Sequence, residues 1–266
     1  MIFLIRSGFH TGSRAIPWGV TLILLHGLAD SWHTFERVLS CLPASIHTIA
    51  FDQRGNGNSS RPQAGYQTAD FVGDLVLFMD ALHIAKAVIL GASSGGFTAR
   101  SFALEHPERT LGLVLLGTPD SLRDNPVALK AWDATISKLT DPVDPEFVRS
   151  FTNNQISQNV PREFREKMVQ ESLKVPAHVW RETTAGIMAE QFSGELAAIQ
   201  APTLIIWGEE DTILSRSSQE ALARVIPGAR LIIHPAAGHV LYWEIPQLIA
   251  SDITAFIRQI VLPEHN

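Results

Sequence analysis

Residues 88–100 read VILGASSGGFTAR, and the reading of this stretch decides the fold. An apolar, strand-forming run gives way to glycine, alanine and serine, and a helical pattern resumes at Phe97. Ser93 and Ser94 either fill a flexible turn or hold one hydroxyl up for attack. Gly91 to Gly95 fits G-x-S-x-G between a strand and a helix, the pattern of a nucleophile elbow. So sharp a turn strains its central serine, and the positions two before and two after it must lack bulk where strand and helix pass. Gly91 and Gly95 meet that requirement. The spacing therefore selects Ser93 as the exposed hydroxyl and leaves Ser94 to offer its backbone N–H, at a helix start, to a developing oxyanion. A glycine-rich turn that merely starts a helix is the plainer alternative, and the flanking strand and helix weigh against it.

Similar short apolar runs recur along the chain, each ending in a Gly- or Asp-bearing turn: VTLILLHG (20–27), SIHTIAFDQRG (45–55), LGLVLLGT (111–118), TLIIWGEED (203–211) and ARLIIHPAAGH (229–239). Their continuous rather than alternating apolarity suits strands covered on both faces, as in a parallel sheet. Helical patterns lie between them, at DSWHTFERVLSCL, TADFVGDLVLFMDAL, FTARSFALEHPE, SSQEALARVI and PQLIASDITAFIRQI. Strands alternating with helices predict an α/β fold with a mostly parallel, doubly wound sheet and right-handed crossovers. Functional residues in such sheets gather beyond the C-terminal ends of the strands, where all of these turns must lie.

One stretch breaks the alternation. Residues 121–194 carry no strand signal, only amphipathic segments punctuated by Pro145, Pro161 and Pro176 at the starts of helical turns. VALKAWDATISKL, PEFVRSF, PREFREKMVQESLK and PAHVWRETTAGIMAEQF predict about four helices. The expected organisation is a core of residues 1–120 and 195–266 with a helical cap, 121–194, inserted over the strand ends. Trp132, Phe147, Phe151, Trp180 and Met188 are its apolar candidates for a substrate pocket, although each is also a candidate for the interior of the cap itself.

A serine hydroxyl is a poor nucleophile without a base, and the base needs an orienting acid. His239 follows the last strand in AAGHVLYWE, at the correct end of the sheet, and is the expected base. The other histidines fall in helical patterns, in the HG turn (His26, expected to brace its loop) or away from a strand tip. Asp211 in WGEEDTIL is the favoured acid and Asp120 in GTPDSL its rival, while Glu209 and Glu210 suit a solvated turn. The loop LLHGLADSW after the first strand is expected to supply the second oxyanion donor, the N–H of Leu28, because Gly27 lets the backbone approach. Arg54, Gly55 and Gly57 form another loop at the same rim, but it lacks the lysine and helix start of a phosphate-binding motif.

The composition excludes other classes. The 266 residues carry a formal net charge of −6 and are 45% apolar and 18% charged, without a basic cluster, which argues against a nucleic-acid partner. The single cysteine, Cys41, excludes an intrachain disulfide and a cysteine-rich metal site and is expected to be a small buried apolar group. No run approaches the roughly 18 apolar residues of a membrane span, and the opening MIFLIRSG does not fit a signal peptide, so a cytoplasmic location is expected. Neither a metal nor a cofactor is called for, and the oligomeric state is not legible.

With these residues in place, the chain resembles the α/β-hydrolase superfamily over nearly all its length. HG at 26–27, DQRGNGNS at 52–59, GASSGG at 91–96, GEED at 208–211 and GH at 238–239 stand in that superfamily's order, and Ser, Asp, His is its triad order. The resemblance implies Ser93 as nucleophile, His239 as base, Asp211 as acid, Leu28 and Ser94 as oxyanion hole, and a helical cap. Two positions depart from the common pattern: Ala92 stands where His is frequent before the nucleophile, and Asn56 replaces the His of RGHG. The N-terminus is also short of the usual leading hairpin. The expected activity is hydrolysis of a small, mostly apolar ester or lactone through an acyl-enzyme. Carbon–carbon bond hydrolysis of ring-cleavage products and cofactor-free perhydrolysis remain open alternatives, as does a slow-turnover, ligand-sensing regulatory protein. A serine at 93 argues against epoxide hydrolases and haloalkane dehalogenases, which need a carboxylate nucleophile. Tyr66 and Tyr242 both lie outside the insertion, where an epoxide-opening cap would place its tyrosines.

Overall fold

The computed structural model describes residues 19–190 and 194–261, so the question of a leading hairpin falls outside the described residues. The first half alternates as expected: β1 (Thr21–Leu25), a single 3-10 turn leading into α1 (Glu36–Leu39), β2 (His47–Ala50), α2 (Thr68–Ala81), β3 (Ala87–Ala92), α3 (Gly95–Glu105) and β4 (Thr110–Leu116). Four helices follow, α4 (Pro126–Ala134), α5 (Pro145–Asn153), α6 (Arg162–Ser172) and α7 (Ala177–Ala189). Alternation then resumes with β5 (Thr203–Gly208), α8 (Arg216–Val225), β6 (Arg230–His234), α9 (Leu241–Glu244) and α10 (Pro246–Val261).

All the described strands pair in parallel, in the order β2-β1-β3-β4-β5-β6. Successive strand residues point to opposite faces, and here both faces are apolar. Leu22 and Leu24 of β1, Val88 and Leu90 of β3 and Val114 and Leu116 of β4 join Ile249, Ile253 and Phe256 of α10 on one side. Ile23, Leu25, Ile89, Leu113 and Leu115 join Leu75 and Phe78 of α2 and Phe102 of α3 on the other. This two-sided burial is why the strand sequences run without polar alternation. Cys41 is only half-buried at the edge of the first layer, because α1 ends two residues before it, and its thiol donates to the Arg37 carbonyl at 3.3 Å.

The strand order also locates the site. From β1 the chain moves outward to β2, then crosses back past β1 to β3, so the crevice between the tips of β1 and β3 is a topological switch point. The helices between β4 and β5 cover that end. Asn125 and Asp144 cap α4 and α5 by accepting the N–H of Ala128 and Glu146 at 2.9 Å each, with Pro126 and Pro145 as first helical residues. A third apolar cluster gathers Val148, Val169, Val179 and Trp180 of these helices with Ala29, Tyr66 and Phe71 of the core, which seats the helical block on the strand tips. Among the described residues no helix is long and apolar enough to cross a membrane.

Candidate active site

The turn from β3 to α3 is as tight as its glycines require. Ser93 has φ +49°, in the left-handed region that side-chain-bearing residues avoid. A Cβ at Gly91 would stand 2.5 Å from the Gly95 carbonyl, and one at Gly95 would stand 2.4 Å from the Leu25 carbonyl. The Ser93 N–H donates to the Leu116 carbonyl of β4 at 2.8 Å, and the Ser93 carbonyl accepts from the Gly96 N–H at 3.0 Å. The strained serine is therefore fixed on both sides of its Cα.

The Ser93 hydroxyl lies 2.9 Å from Nε2 of His239, whose Nδ1 lies 2.8 Å from Oδ2 of Asp211. The other Asp211 oxygen accepts the N–H groups of Ile213 at 2.8 Å and Leu214 at 3.0 Å, which fixes the carboxylate after β5. Burial pushes the Asp211 carboxyl up, but the charge and hydrogen bond of His239, together with the two N–H groups, outweigh it and leave the group below the usual carboxylate range. His239 reaches inward from beyond β6, over the tip of β4. Gly117 makes this possible: it has φ +51°, and a Cβ there would stand 3.0 Å from the His239 carbonyl and 3.6 Å from Nδ1. Asp120 takes no part, because its carboxylate turns back to the N–H of Ser121.

The loop bearing His239 is pinned from below. Buried Glu244 of α9 accepts the Gly238 N–H at 2.7 Å and, from the connection between α5 and α6, the Ser157 N–H at 2.7 Å and its hydroxyl at 3.2 Å. One carboxylate thereby ties the histidine loop to the helical block.

At the switch point, Gly27 brings the loop after β1 against the elbow; a Cβ there would lie 3.3 Å from Ser93 Cβ. His26 braces this loop as expected. Its Nε2 accepts the Gln53 N–H at 3.0 Å, so Nδ1 carries the proton and donates to the Gly27 carbonyl at 2.9 Å. Burial, the largest influence, lowers the His26 pKa and keeps the ring neutral for that role. Among the described residues neither the Leu28 nor the Ser94 N–H has an acceptor, and both residues border the same cavity as Ser93 and His239. The Arg54 loop is structural: its guanidinium is held by Asp74 at 2.6 and 2.7 Å, and a Cβ on Gly57 would run into Asp52 at 2.2 Å.

The cavity has a volume of about 560 Å³ and lies between the strand tips and the helices, with Leu122, Val127, Ala131, Phe151, Ile213 and Leu214 among its walls. Of the five pocket candidates in the sequence, Phe151 alone borders it. Trp132, Phe147, Trp180 and Met188 do not, which corrects the sequence-based expectation. Trp180 is wholly buried, edge-on to Phe147 at 5.4 Å and to Phe151 at 5.0 Å, with Trp132 packed against the same cluster. Large rings need neighbours on all sides, and the interior of the helical block supplies them. Met188 is half-buried, one step around α7 from Ile187, and α7 offers Thr184 and Ile187 to the cavity instead. Asp30, Tyr242 and Trp243 also border it and were not anticipated, although an acidic residue in the otherwise apolar LLHGLADSW was a visible signal for the first. Among the described residues no cluster of His, Cys, Asp or Glu is placed to hold a metal ion.

A strained serine at a strand-to-helix turn, a buried imidazole–carboxylate pair and a covering helical block over parallel strands together define a class. The family model for the alpha/beta hydrolase fold matches residues 20–246, and the chain belongs to this family of hydrolases. It is 27% identical over 269 residues to the 2-hydroxymuconate semialdehyde hydrolase of a Pseudomonas species, covering 96% of this chain and 93% of that protein. It is 28% identical over 252 residues to the 2-hydroxy-6-oxo-6-phenylhexa-2,4-dienoate hydrolase of Burkholderia cepacia, covering 85% and 83%. Among solved structures, an esterase from Exiguobacterium antarcticum superposes with a TM-score of 0.83 at 20% identity, over 96% of this chain and 95% of that one.

Proposed function

We propose that the protein is a serine hydrolase that cleaves a small, uncharged carboxylic ester or lactone through an acyl-enzyme on Ser93. The observation that carries this reading is the continuous hydrogen-bonded path Ser93–His239–Asp211 at the base of a mainly apolar cavity. His239 Nε2 takes the proton as Ser93 Oγ attacks the carbonyl carbon, and Asp211 holds the ring and offsets its positive charge. The tetrahedral oxyanion is received by the N–H groups of Leu28 and Ser94. Collapse expels the alcohol, which takes its proton from His239. Water, deprotonated by the same nitrogen, then attacks the acyl group and releases the acid and Ser93.

The walls bear on which relative this protein follows in chemistry. The names of the two related hydrolases denote carboxylate substrates, and a carboxylate calls for a cationic partner in a low-dielectric site. Among the described residues, no Lys or Arg borders the cavity, and its acidic wall residue, Asp30, offers no positive charge to such a group. This supports an uncharged ester or lactone over a ring-cleavage acid. The test is a fluorophosphonate probe together with p-nitrophenyl butanoate and p-nitrophenyl hemisuccinate. Stoichiometric labelling of Ser93, with turnover of the butanoate far above that of the hemisuccinate, is expected. Labelling elsewhere would refute the nucleophile, and a preference for the hemisuccinate would refute the substrate class. Labelling without turnover would favour a regulatory protein.

A further inference from the structure

The hydrolytic path uses no group from one wall of the cavity, and that wall is polar. Asp30 follows the Leu28 turn by two residues, borders the cavity and is 9% exposed. Its carboxylate accepts the Ser31 N–H at 2.8 Å and a hydrogen bond from Thr34, and no cationic side chain among the described residues faces it. The charged groups that do face it are Glu171 at the end of α6, itself paired with Lys174 at 2.7 Å, and Asp52 in the loop after β2, which is occupied by the N–H groups of Trp32 and Asn58. Thr34 accepts the indole N–H of Trp243 at 2.7 Å and also hydrogen-bonds the phenol of Tyr242. Burial, and then Asp30 itself, push that phenol upward, so Tyr242 remains a donor. Trp243 gives its indole proton to Thr34, and the same hydroxyl hydrogen-bonds Tyr242 and Asp30, so the three residues support one another around the carboxyl. The result is a supported carboxyl with acceptor capacity left over, set in the wall of the mainly apolar cavity that Ser93 also borders.

A buried carboxyl without a cation is costly to the fold, and the structure does not use this one to pair an ion or close a helix of any length. We propose that Asp30 is the specificity-determining residue of the cavity, accepting a hydrogen bond from a hydroxyl on the substrate, so that hydroxylated esters or lactones are preferred to their purely hydrocarbon counterparts. This rests on the hydrolytic reading above and names its substrate class. Burial pushes Asp30 up to about 7 against the pull of Thr34 and Ser31, with Glu171 and Asp52 adding to the rise. Its acceptor strength therefore grows across the neutral range as the carboxyl ionises.

The test compares p-nitrophenyl 3-hydroxybutanoate with its isostere 3-methylbutanoate, and 5-hydroxyhexanoate with 5-methylhexanoate to cover a longer reach. The readout is the ratio of kcat/KM within each pair. His239 and Asp211 act on both members alike, so their titration cancels. In at least one pair the hydroxylated ester is expected to lead by about tenfold. That ratio should rise from about pH 6 to about pH 8 in the native protein as Asp30 releases its proton. Asp30→Asn should lower the ratio and make it independent of pH. A ratio that stays flat with pH in the native protein overturns the proposal, with or without a folded variant. So does an unchanged ratio in Asp30→Asn while Ser93 still takes the fluorophosphonate probe, and in that case the hydrolytic reading stands. Failure of native Ser93 to label removes the hydrolytic reading and this inference with it.

Discussion

Ser93 and Ser94 are adjacent and chemically identical, and only the backbone separates their roles. The φ of +49° at Ser93, a conformation that costs on the order of 1–3 kcal/mol, turns one hydroxyl toward His239 and leaves Ser94 its N–H. Ser93→Ala should abolish both turnover and probe labelling, whereas Ser94→Ala, which keeps its N–H, should retain most of both. Asp211→Asn should lower kcat by about 10⁴, the precedent for losing the orienting acid, and Asp120→Asn should leave kcat within a few-fold by steady-state assay. The reverse ranking would move the acid to the loop after β4. Asp30 makes a separate statement about stability. Its ordinary value of 3.8 rises to about 7 on folding, so between those values the unfolded chain has released a proton that the native state still holds. Stability from this group is complete below the lower value and falls as pH rises to the upper one, by an amount on the order of 4 kcal/mol. Asp30→Asn should remove this component, so thermal melts should show its Tm gaining on that of the native protein between about pH 4 and pH 8. A gap that does not change with pH would mean that Asp30 is not buried as a neutral acid.

The elements that carry Ser93, His239 and Asp211, the proposed reacting groups, were legible because their geometry forbids alternatives. Gly91 is demanded by the backbone of Gly95 and Gly96 within the same turn and Gly95 by the carbonyls of Leu25 and His26 at the end of β1, both fixed by the elbow pattern itself, and a continuous apolar strand announces cover on both faces. The cavity wall was not legible in the same way. Which face α7 turns to the cavity depends on how α5, α6 and α7 pack on one another, and aromatic residues in amphipathic segments serve a cap interior as readily as a pocket. Trp180, Phe147 and Trp132 went to the interior, while small and polar residues such as Ala131 and Thr184 took the wall. The passage of His239 over β4 through Gly117 was equally hidden, since its cause lies in strands separated by the whole helical block. Two substitutions separate these roles. Trp180→Ala should destabilise the protein by about 3–5 kcal/mol, seen as a lower denaturation midpoint, without re-ranking ester chain lengths. Ala131→Trp should instead shift the preferred acyl or alcohol group to a shorter one at little cost in stability. If Trp180→Ala re-ranks the series and Ala131→Trp does not, the wall has been misassigned.

At the scale of the molecule, one sheet of parallel strands carries Ser93, Asp211 and His239 beyond its tips, and one block of helices walls the cavity above them. The two are joined by more than apolar packing. Glu244 belongs by sequence to the far end of the chain, yet it answers backbone N–H groups on both sides, at Gly238 of the histidine loop and at Ser157 between α5 and α6. For chimera building this defines where the modules truly divide. A helical block transplanted as a continuous segment onto another scaffold would leave its Ser157 amide without an acceptor unless the recipient has a carboxylate at the position of Glu244. The converse holds as well, because a foreign block dropped onto these strands would release one side of the clamp beside His239. The practical unit of exchange is thus discontinuous, the inserted helices together with the short segment from Gly238 to Glu244.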